Sequence, residues 1–345
     1  MPTMAPPASN PPSNVPYSWI DAHLDLAWLG LAGRDLTVAA DGERCGVSWP
    51  DLAAAGVGFV FGTIFTEMDG PVDDPASYPT GDVDAAARAG RRQLDWYRDQ
   101  ARLGRLRLVR PASEPDPADA ATEGPCRVAL LMECADPIRD PADAAFWVDA
   151  GVSIVGLSWG RGSRHAGGNA APGGLTPIGR ELVAELTRLG IAFDVSHLSR
   201  DAFDDLLAAT DAPIAATHSN AAAIVGDDPR HLTDDQLRAL RDRDAVVGLN
   251  LYGRFLAPDH ATNPATIATA LDHVEHVASI VGRDHVGLGS DADGGFPATD
   301  LPVGLRRLRN LEVLASGLAD RGWSAAEVDG FRCGNWARWW RGLAG

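Results

Sequence analysis

Histidine and carboxylate side chains end several separate apolar runs of this 345-residue sequence. Imidazole and carboxylate are the ligands of a divalent, zinc-like ion that keeps one coordination position open for water. The residue types and their placement therefore predict a metal-dependent hydrolase. A single histidine is a weak signal, since it is more often a structural group, and the joint occurrence carries the prediction. The candidates are His23, Asp25, Glu133, His197, His218 and Asp291.

A carboxylate bridge is needed where two metal ions lie side by side, and Glu133 is the obvious candidate for it. Many hydrolases of this design use a carboxylated lysine as the bridge instead. The sequence has 30 residues of the Lys and Arg classes, and all of them are arginines. A lysine bridge is therefore impossible in this chain.

Short apolar runs bounded by turn residues alternate with helical segments along most of the chain. This alternation predicts parallel strands joined by right-handed crossovers, and eight repeats close a barrel. We therefore predict an α/β fold, a TIM-like (β/α)8 barrel. A doubly wound open sheet is the alternative, but the first predicted strand is not followed by its usual glycine-rich phosphate turn. The predicted strands are 18–20, 57–65, 127–133, 152–159, 191–197, 213–218, 245–252 and 285–291, and the predicted helices are 83–103, 141–150, 178–189, 201–209, 234–241, 265–281 and 305–321.

The candidate ligands lie at the carboxyl ends of the predicted strands, where barrel enzymes place their active sites. Side chains two residues apart on a strand share a face, so Asp21, His23 and Asp25 are expected together in the barrel mouth. Asp21 is the weakest of the three, because an acidic residue at such a point commonly caps backbone amides.

The same alternation predicts that His197 and His218 each occupy the last inward step of a strand. On the last predicted strand, Gly287 and Gly289 alternate with Asp291. We expect these two glycines to leave room near the carboxylate.

Two stretches, 66–80 and 160–175, are longer than a minimal barrel needs, and we expect active-site loops there. The aromatic segment 325–343 is expected to pack over the barrel bottom or at a subunit interface. Residues 1–16 are predicted to form a flexible tail, and residues 17–345 a single catalytic domain.

The composition excludes some partners. A net charge of −17 and a pI near 4.8 repel phosphate backbones and anionic lipid surfaces, so no nucleic-acid or membrane binding is expected. No apolar run approaches the length that spans a bilayer. The four cysteines show no CxxC pairing, which is typical of reduced thiols and predicts a cytoplasmic protein.

Longer motifs resemble the membrane dipeptidase (renal dipeptidase) family of the amidohydrolase superfamily over nearly the whole chain after the tail. The middle and last of these motifs are specific, and the first is generic to the superfamily. The motifs are DAHLDL at 21–26, MEC at 132–134, GLTPIGRELVAELTRLGIAFDVSHLS at 174–199, THSNAAAI at 217–224, DDPRHLTDDQL at 227–237 and VGLGSDADGG at 286–295.

The resemblance implies a binuclear zinc site and a nucleophilic water between the two ions. Asp291 is implied as the residue that takes a proton from this water and delivers it to the leaving amine. Orientation of a ligand histidine is the alternative role for Asp291. The implied ligands are His23 and Asp25 on one zinc, His197 and His218 on the other, and Glu133 bridging both.

The resemblance also implies substrate contacts. Arg230 stands where the family places an arginine that grips the substrate's terminal carboxylate, and a surface salt bridge is the alternative role. Asn250 and Tyr252 are candidates for the pocket lining, or for capping and packing. Trp159 stands where many dipeptidases of the family have a histidine that polarises the scissile carbonyl. Either His165 takes over this role, or the substrate is not an ordinary dipeptide.

The expected activity is hydrolysis of the amide bond of a dipeptide or a similar small molecule. The first alternative keeps the metal site but acts on an N-acyl amino acid, a β-lactam or another small amide or ester. The second is a non-catalytic ligand-binding barrel whose metal site has decayed. The sequence leaves open a homodimer, the native metal, and the substrate with its stereochemistry.

Overall fold

Parallel strands form the centre of the computed structural model, which describes residues 18–111, 113 and 124–344. The predicted tail, residues 1–16, lies outside the described residues. The barrel strands are β1 (Trp19–Leu24), β2 (Val57–Phe65), β3 (Cys126–Glu133), β4 (Val152–Gly156), β5 (Ala192–Asp194), β6 (Ile214–Ala215), β7 (Val247–Leu249) and β8 (Val286–Leu288). They lie in the order β6-β5-β4-β3-β2-β1-β8-β7. A parallel bridge between Ala216 and Val247 joins the two ends, and the predicted (β/α)8 barrel is confirmed.

One strand of the sheet was not predicted. Leu106–Val109 pairs in parallel with the first half of β3, whereas β4 pairs with the second half, from Leu130 onwards. Two short ribbons lie in the long loops: Glu67–Met68 pairs with Ser77–Tyr78, and Ala166–Gly168 pairs with Ala171–Leu175. The loops at 66–80 and 160–175 are therefore ordered elements above the barrel.

Most helices cover the outside of the barrel, and several of them begin at a residue whose side chain caps the first turn. The hydroxyl of Thr176 accepts from the backbone N–H of Gly179, and Thr233 forms a capping box with Gln236. Within the described ranges, no helix has both the length and the apolar content that crossing a bilayer demands. The α-helices are Leu26–Leu31, Trp49–Ala55, Val83–Arg102, Ala144–Ala150, Pro177–Arg188, Arg200–Ala209, Ala222–Val225, Asp234–Asp242, Gly253–Leu256, Ile267–Val281, Glu312–Asp320, Ala325–Asp329 and Asn335–Gly342.

The aromatic C-terminal helix closes the amino-terminal end of the barrel. Trp336 and Trp340 are fully buried among side chains from the early part of the strands, such as Phe59 and Phe61. The indole N–H of Trp336 donates to the Leu288 carbonyl at 3.0 Å, which anchors the helix to β8. Of the two expected positions for this segment, the barrel bottom is the one observed.

Gly287 in β8 and Gly289 just after it have a different structural role from the expected one. A Cβ at Gly287 would overlap the Trp336 indole, and a Cβ at Gly289 would overlap the Thr217 carbonyl. Gly287 therefore admits the closing helix, and Gly289 admits the turn after β6. The room beside Asp291 comes instead from Gly294, where a Cβ would overlap the Asp291 carboxylate.

Simple alternation does not hold at the ends of the strands. The pairing of β1 with β2 shifts between Asp21 and Leu24, as in a β-bulge, and Asp21 bonds to the backbone and side chain of Ser290. His197 and His218 lie in turns after β5 and β6 end at Asp194 and Ala215. The expectations that Asp21 joins the mouth and that both histidines end strands are therefore wrong.

Candidate metal centre

Three histidines surround the Glu133 carboxylate. The Nε2 atom of His23 lies 3.4 Å from Glu133 Oε2. On the other oxygen, Oε1, the Nε2 atoms of His197 and His218 lie at 2.9 and 3.5 Å. Glu133 thus has one oxygen toward each side of the cluster, which is the arrangement that a bridging carboxylate requires.

The hydrogen bonds behind His218 determine which of its ring nitrogens is free. The Thr217 hydroxyl gives its only proton to Asp194 Oδ2, at 2.6 Å. The contact of 2.9 Å between Thr217 Oγ1 and His218 Nδ1 must then use a proton on Nδ1. The Nε2 atom of His218 is left with a lone pair, as a metal ligand needs.

His197 has an equivalent partner. Its Nδ1 lies 3.2 Å from the Oδ1 of Asn169, so Nδ1 carries the proton and Nε2 has the lone pair. The Nε2 atoms of His197 and His218 are only 2.9 Å apart. Together with Glu133 Oε1, three electron-pair donors converge with no proton among them, and a divalent cation fits this set.

Two further carboxylates adjoin His23. His23, Asp25 and Asp291 offer ligand atoms that lie within 4.8 Å of one another, as do His23, Glu133 and His218. Asp25 accepts a hydrogen bond from the hydroxyl of Thr63. His23 belongs to both groups, so the candidate centre has two adjoining halves that share it.

The buried charges perturb one another strongly. Burial, together with the Glu133 charge, raises the pKa of Asp25 to about 6. Burial, with Asp25 and Glu133 nearby, raises the pKa of Asp291 to about 7. Burial would lower the pKa of His23, but Glu133 and Asp25 raise it to about 10. Such crowding of acids in a buried site is typical of a cation-binding centre.

Asp291 is held by one of its two oxygens. The Nδ2 atom of Asn250 donates to Asp291 Oδ2 at 2.8 Å, and the backbone of Asp291 is left-handed, with φ at 55°. Aspartate tolerates this conformation better than most residues. Asn250 is itself oriented by the Tyr252 N–H, at 2.7 Å. Two predicted residues, one just after β7 and one just after β8, are therefore brought together.

Arg230 lies behind the histidines. Its Nη1 donates to the Ser196 carbonyl and its Nη2 to the His218 carbonyl, both at 2.7 Å, and the residue is only 4% exposed. The guanidinium lies over the Phe255 ring, 5.1 Å from its centroid. Much of its donor capacity is used on the two histidine turns, so it also supports the cluster.

His165 does not reach the cluster. The residue is fully buried, and its Nε2 lies 3.9 Å from Asp136 Oδ1. Burial and the nearby Arg164 lower its pKa to about 3. A side chain without exposed surface cannot touch a substrate in the mouth, so the expected role of His165 in polarising the carbonyl is wrong.

Trp159 and Tyr252 both line the mouth with partly exposed rings. The Trp159 ring centroid lies 5.7 Å from that of His197, and Tyr252 stacks on Phe296 at 4.2 Å. Trp159 therefore stands beside His197, one of the candidate ligands, at the place where the sequence predicted a substrate contact.

Sequence reasoning missed the residues that orient the ligands. Thr63 is the one polar side chain among the alternating residues Phe59, Phe61 and Phe65 of β2, which is a usable signal. Asp194 likewise ends a short apolar strand. Asn169 and Thr217 gave no signal, because their roles depend on contacts with particular histidines.

Known proteins resemble this chain along most of its length. The sequence profile of the membrane dipeptidase family, peptidase family M19, matches residues 15–344. An uncharacterized protein from the pqqA 5′ region of Klebsiella pneumoniae is 37% identical over 198 residues, which are 55% of this chain and 71% of that protein.

Two solved structures share both the fold and recognisable sequence. Dipeptidase AC, a metallopeptidase of family M19, superposes with a TM-score of 0.83 and 27% identity, over 96% of this chain and all of that one. A metallopeptidase from Rhodobacter sphaeroides, bound to a phosphinate mimic of the dipeptide L-Ala-D-Ala, superposes with a TM-score of 0.82 and 27% identity, over 94% and 99% of the two chains.

Proposed function

Because the chain belongs to the membrane dipeptidase family, peptidase family M19, a family of metal-dependent dipeptidases, we propose that it uses two zinc ions to hydrolyse the amide bond of dipeptides. The family membership accounts for the dipeptidase class and for a divalent metal. The number of ions, their identity and the roles of single residues are our proposal.

One observation carries the proposal. The lone pairs of His197 Nε2 and His218 Nε2 and the carboxylate of Glu133 converge within 2.9 to 3.5 Å of one another. Like partial charges at this separation repel unless a cation lies among them. His197 and His218 would hold one ion, His23 and Asp25 the other, and Glu133 would bridge the two.

The bound ions would supply chemistry that is common to binuclear metal hydrolases. Two divalent ions would supply hydroxide near neutral pH as the nucleophile and would polarise the scissile carbonyl. Because His165 is buried away from the cluster, the ions would take the place of a polarising histidine, so a dipeptide remains the proposed substrate. The protein's own contribution is to bury the ligands and to set the protonation of His197 and His218 through Asn169 and Thr217.

Asp291 would move the proton. Asn250 occupies Oδ2, which leaves Oδ1 to accept a proton from the attacking water and to deliver it to the leaving amine. A pKa raised to about 7 by burial suits a group that must both take and give a proton near neutral pH. Arg230 remains our proposed partner for the substrate's terminal carboxylate.

A panel of substrates tests the function. Zinc-loaded protein is assayed with dipeptides, N-acyl amino acids and β-lactams, with metal content measured on the same sample. We expect dipeptides to have the highest kcat/KM and the metal content to approach two equivalents. Turnover confined to the other amides would favour the first alternative, and less than one equivalent of metal would favour a non-catalytic barrel.

A further inference from the structure

Two aromatic rings form one wall of the mouth, beside the candidate metal centre. The centroids of Phe65 and Trp159 are 5.4 Å apart with an edge-to-face geometry, and the Trp159 ring also contacts His197. Both side chains are partly exposed. This aromatic wall is apolar surface at the place where a substrate would lie.

The sheet register fixes the wall to Glu133. Phe65 is the direct neighbour of Glu133 in the pairing of β2 with β3. Glu133 in turn pairs with Gly156 of β4, three residues before Trp159. Phe65 therefore ends the strand on one side of the proposed bridging carboxylate, and Trp159 follows the strand on its other side.

Further contacts hold the wall in place. The side chain of Gln93, which is fully buried, bonds to both the N–H and the carbonyl of Phe65. Two residues beyond the rings, Arg161 Nε lies 3.2 Å from Glu67 Oε1, and Arg161 also donates to the Asp69 carbonyl. The loops that carry the two rings are tied together, so the wall is preorganised.

A second aromatic pair lies across the mouth. Tyr252 and Phe296 are stacked and follow β7 and β8, on the opposite side of the barrel from β2 and β4. Asp291 and its partner Asn250 belong to this second side. The two sides are therefore chemically distinct: only the second carries the proposed proton donor.

The position of Asp291 orients a dipeptide. The leaving amine belongs to the C-terminal residue of the substrate, and it must lie next to the group that protonates it. The C-terminal residue then lies on the side of Asp291 and Tyr252. The N-terminal residue, whose carbonyl is attacked, lies on the side of Phe65 and Trp159.

We infer that Phe65 and Trp159 form the subsite for the N-terminal residue of the substrate and select a large apolar side chain there. This inference rests on the proposed dipeptidase function and adds a substrate preference to it. Removal of an apolar side chain from water against two fixed rings favours the larger substrate.

Matched dipeptides test the preference directly. The kcat/KM of zinc-loaded protein is measured for Gly-Ala, Leu-Ala and Phe-Ala, which differ only in the N-terminal side chain. We expect Leu-Ala and Phe-Ala to exceed Gly-Ala by about 10-fold or more, the scale of discrimination that an apolar pocket reaches.

Variants test whether the wall is the cause. Trp159→Ala is expected to reduce the ratio of Leu-Ala to Gly-Ala to within about 3-fold. Trp159→Phe keeps an aromatic face but loses the indole N–H, and it is expected to retain the preference. Phe296→Ala is the control on the opposite side: it should alter the ratio of Gly-Leu to Gly-Ala and spare the N-terminal ratio. Metal content and circular dichroism check folding.

The outcomes separate this inference from the proposed function. Hydrolysis of all three dipeptides at equal kcat/KM would overturn the subsite and leave the dipeptidase function standing. An unchanged ratio in Trp159→Ala, or equal ratios in Trp159→Phe and Trp159→Ala, would also overturn the subsite. Failure to hydrolyse any dipeptide with two zinc ions bound would overturn both.

Discussion

At the scale of single residues, Asp291 combines a half-buried side chain, a left-handed backbone and a single side-chain hydrogen-bond partner. The Asn250 amide holds one oxygen, and Gly294 leaves space beside the other. Such a residue is positioned for proton transfer, although the neighbouring Asp25 and Glu133 make its ionised form unfavourable.

Asp291→Asn removes the proton carrier and keeps the shape. We expect kcat to fall by at least about 100-fold, because general acid–base catalysis typically contributes this much. Metal content, measured by mass spectrometry on the purified variant, should match that of the unaltered protein. Loss of one metal equivalent in the variant would instead identify Asp291 as a ligand.

The same variant has a pH-dependent effect on stability once metal is removed by a chelator. Burial raises the pKa of Asp291 in the folded protein from 3.8 to about 7. Its protonated form therefore stabilises the fold at low pH, and this contribution is lost as the pH rises from about 4 through about 7. Thermal unfolding should show Asp291→Asn to be more stable than the unaltered protein at pH 8, with no difference at pH 3.5. A constant difference across this range would contradict the raised pKa.

Asp194 is expected to act through His218. It accepts from the Thr217 hydroxyl, and this bond leaves His218 Nε2 unprotonated. Asp194→Asn should weaken zinc binding by about 10- to 100-fold, as other partners of ligand histidines do. Competition with a coloured chelator measures the affinity. Asp235→Asn, on the exposed face of a helix, is the control, and equal affinities in the two variants would contradict this role.

At the scale of elements, the chain after β6 and the chain after β8 approach each other closely, although β7 lies between the two strands, and this approach shapes the mouth. The seam beside β8 has no space for a side chain at Gly289, because the Thr217 carbonyl occupies it. The turn that carries His218 follows Thr217 directly. The contact between Gly289 and the Thr217 carbonyl therefore also helps to position His218.

Gly289→Ala tests this seam. The added methyl group would force the β6 turn away from β8, and overpacking of this kind costs about 1–3 kcal/mol or more. Urea unfolding should show this loss, together with weaker zinc binding. Gly342→Ala is the matched control, since a Cβ there meets nothing within 4 Å. Equal free energies of unfolding for the two variants would contradict a tight seam.

At the scale of the whole molecule, the barrel is closed at its bottom by the tryptophan helix and is open at its mouth. Trp336 and Trp340 are fully buried, so they offer no apolar patch to a second subunit. A homodimer remains a prediction, and these tryptophans do not support it. The single domain over 17–345 also remains a prediction. The chain has a net charge of −17, and three of its carboxylates lie together at the candidate metal centre.

Bound metal should stabilise the entire fold. Ligands that bind only the folded state add about 2.7 kcal/mol when present at 100 times their Kd. Calorimetry should show a melting temperature several degrees higher with zinc than with a chelator, and a smaller shift for His218→Ala. Identical melting temperatures with and without zinc would argue against a metal centre of this kind.

The sequence by itself determined the barrel and the candidate ligands that meet at its mouth. Parallel strands with helical crossovers bring their carboxyl ends to one rim, so residues such as His23, Glu133 and His218 were expected to meet there. Composition also determined that no lysine serves as the bridge. These inferences need only the periodicity of apolar residues and the order of the predicted strands and helices. Both can be read directly along the sequence.

Only the tertiary structure decided the orientation of the individual side chains. The Asp21 carboxylate accepts hydrogen bonds from Ser290 and from the His23 N–H, and the turns after β5 and β6 replace the expected alternation. The burial of His165 and the pairing of Phe65 with Trp159 likewise arise from packing between distant segments. Such contacts depend on register and on three-dimensional neighbours, and a one-dimensional pattern of apolar and polar residues carries neither.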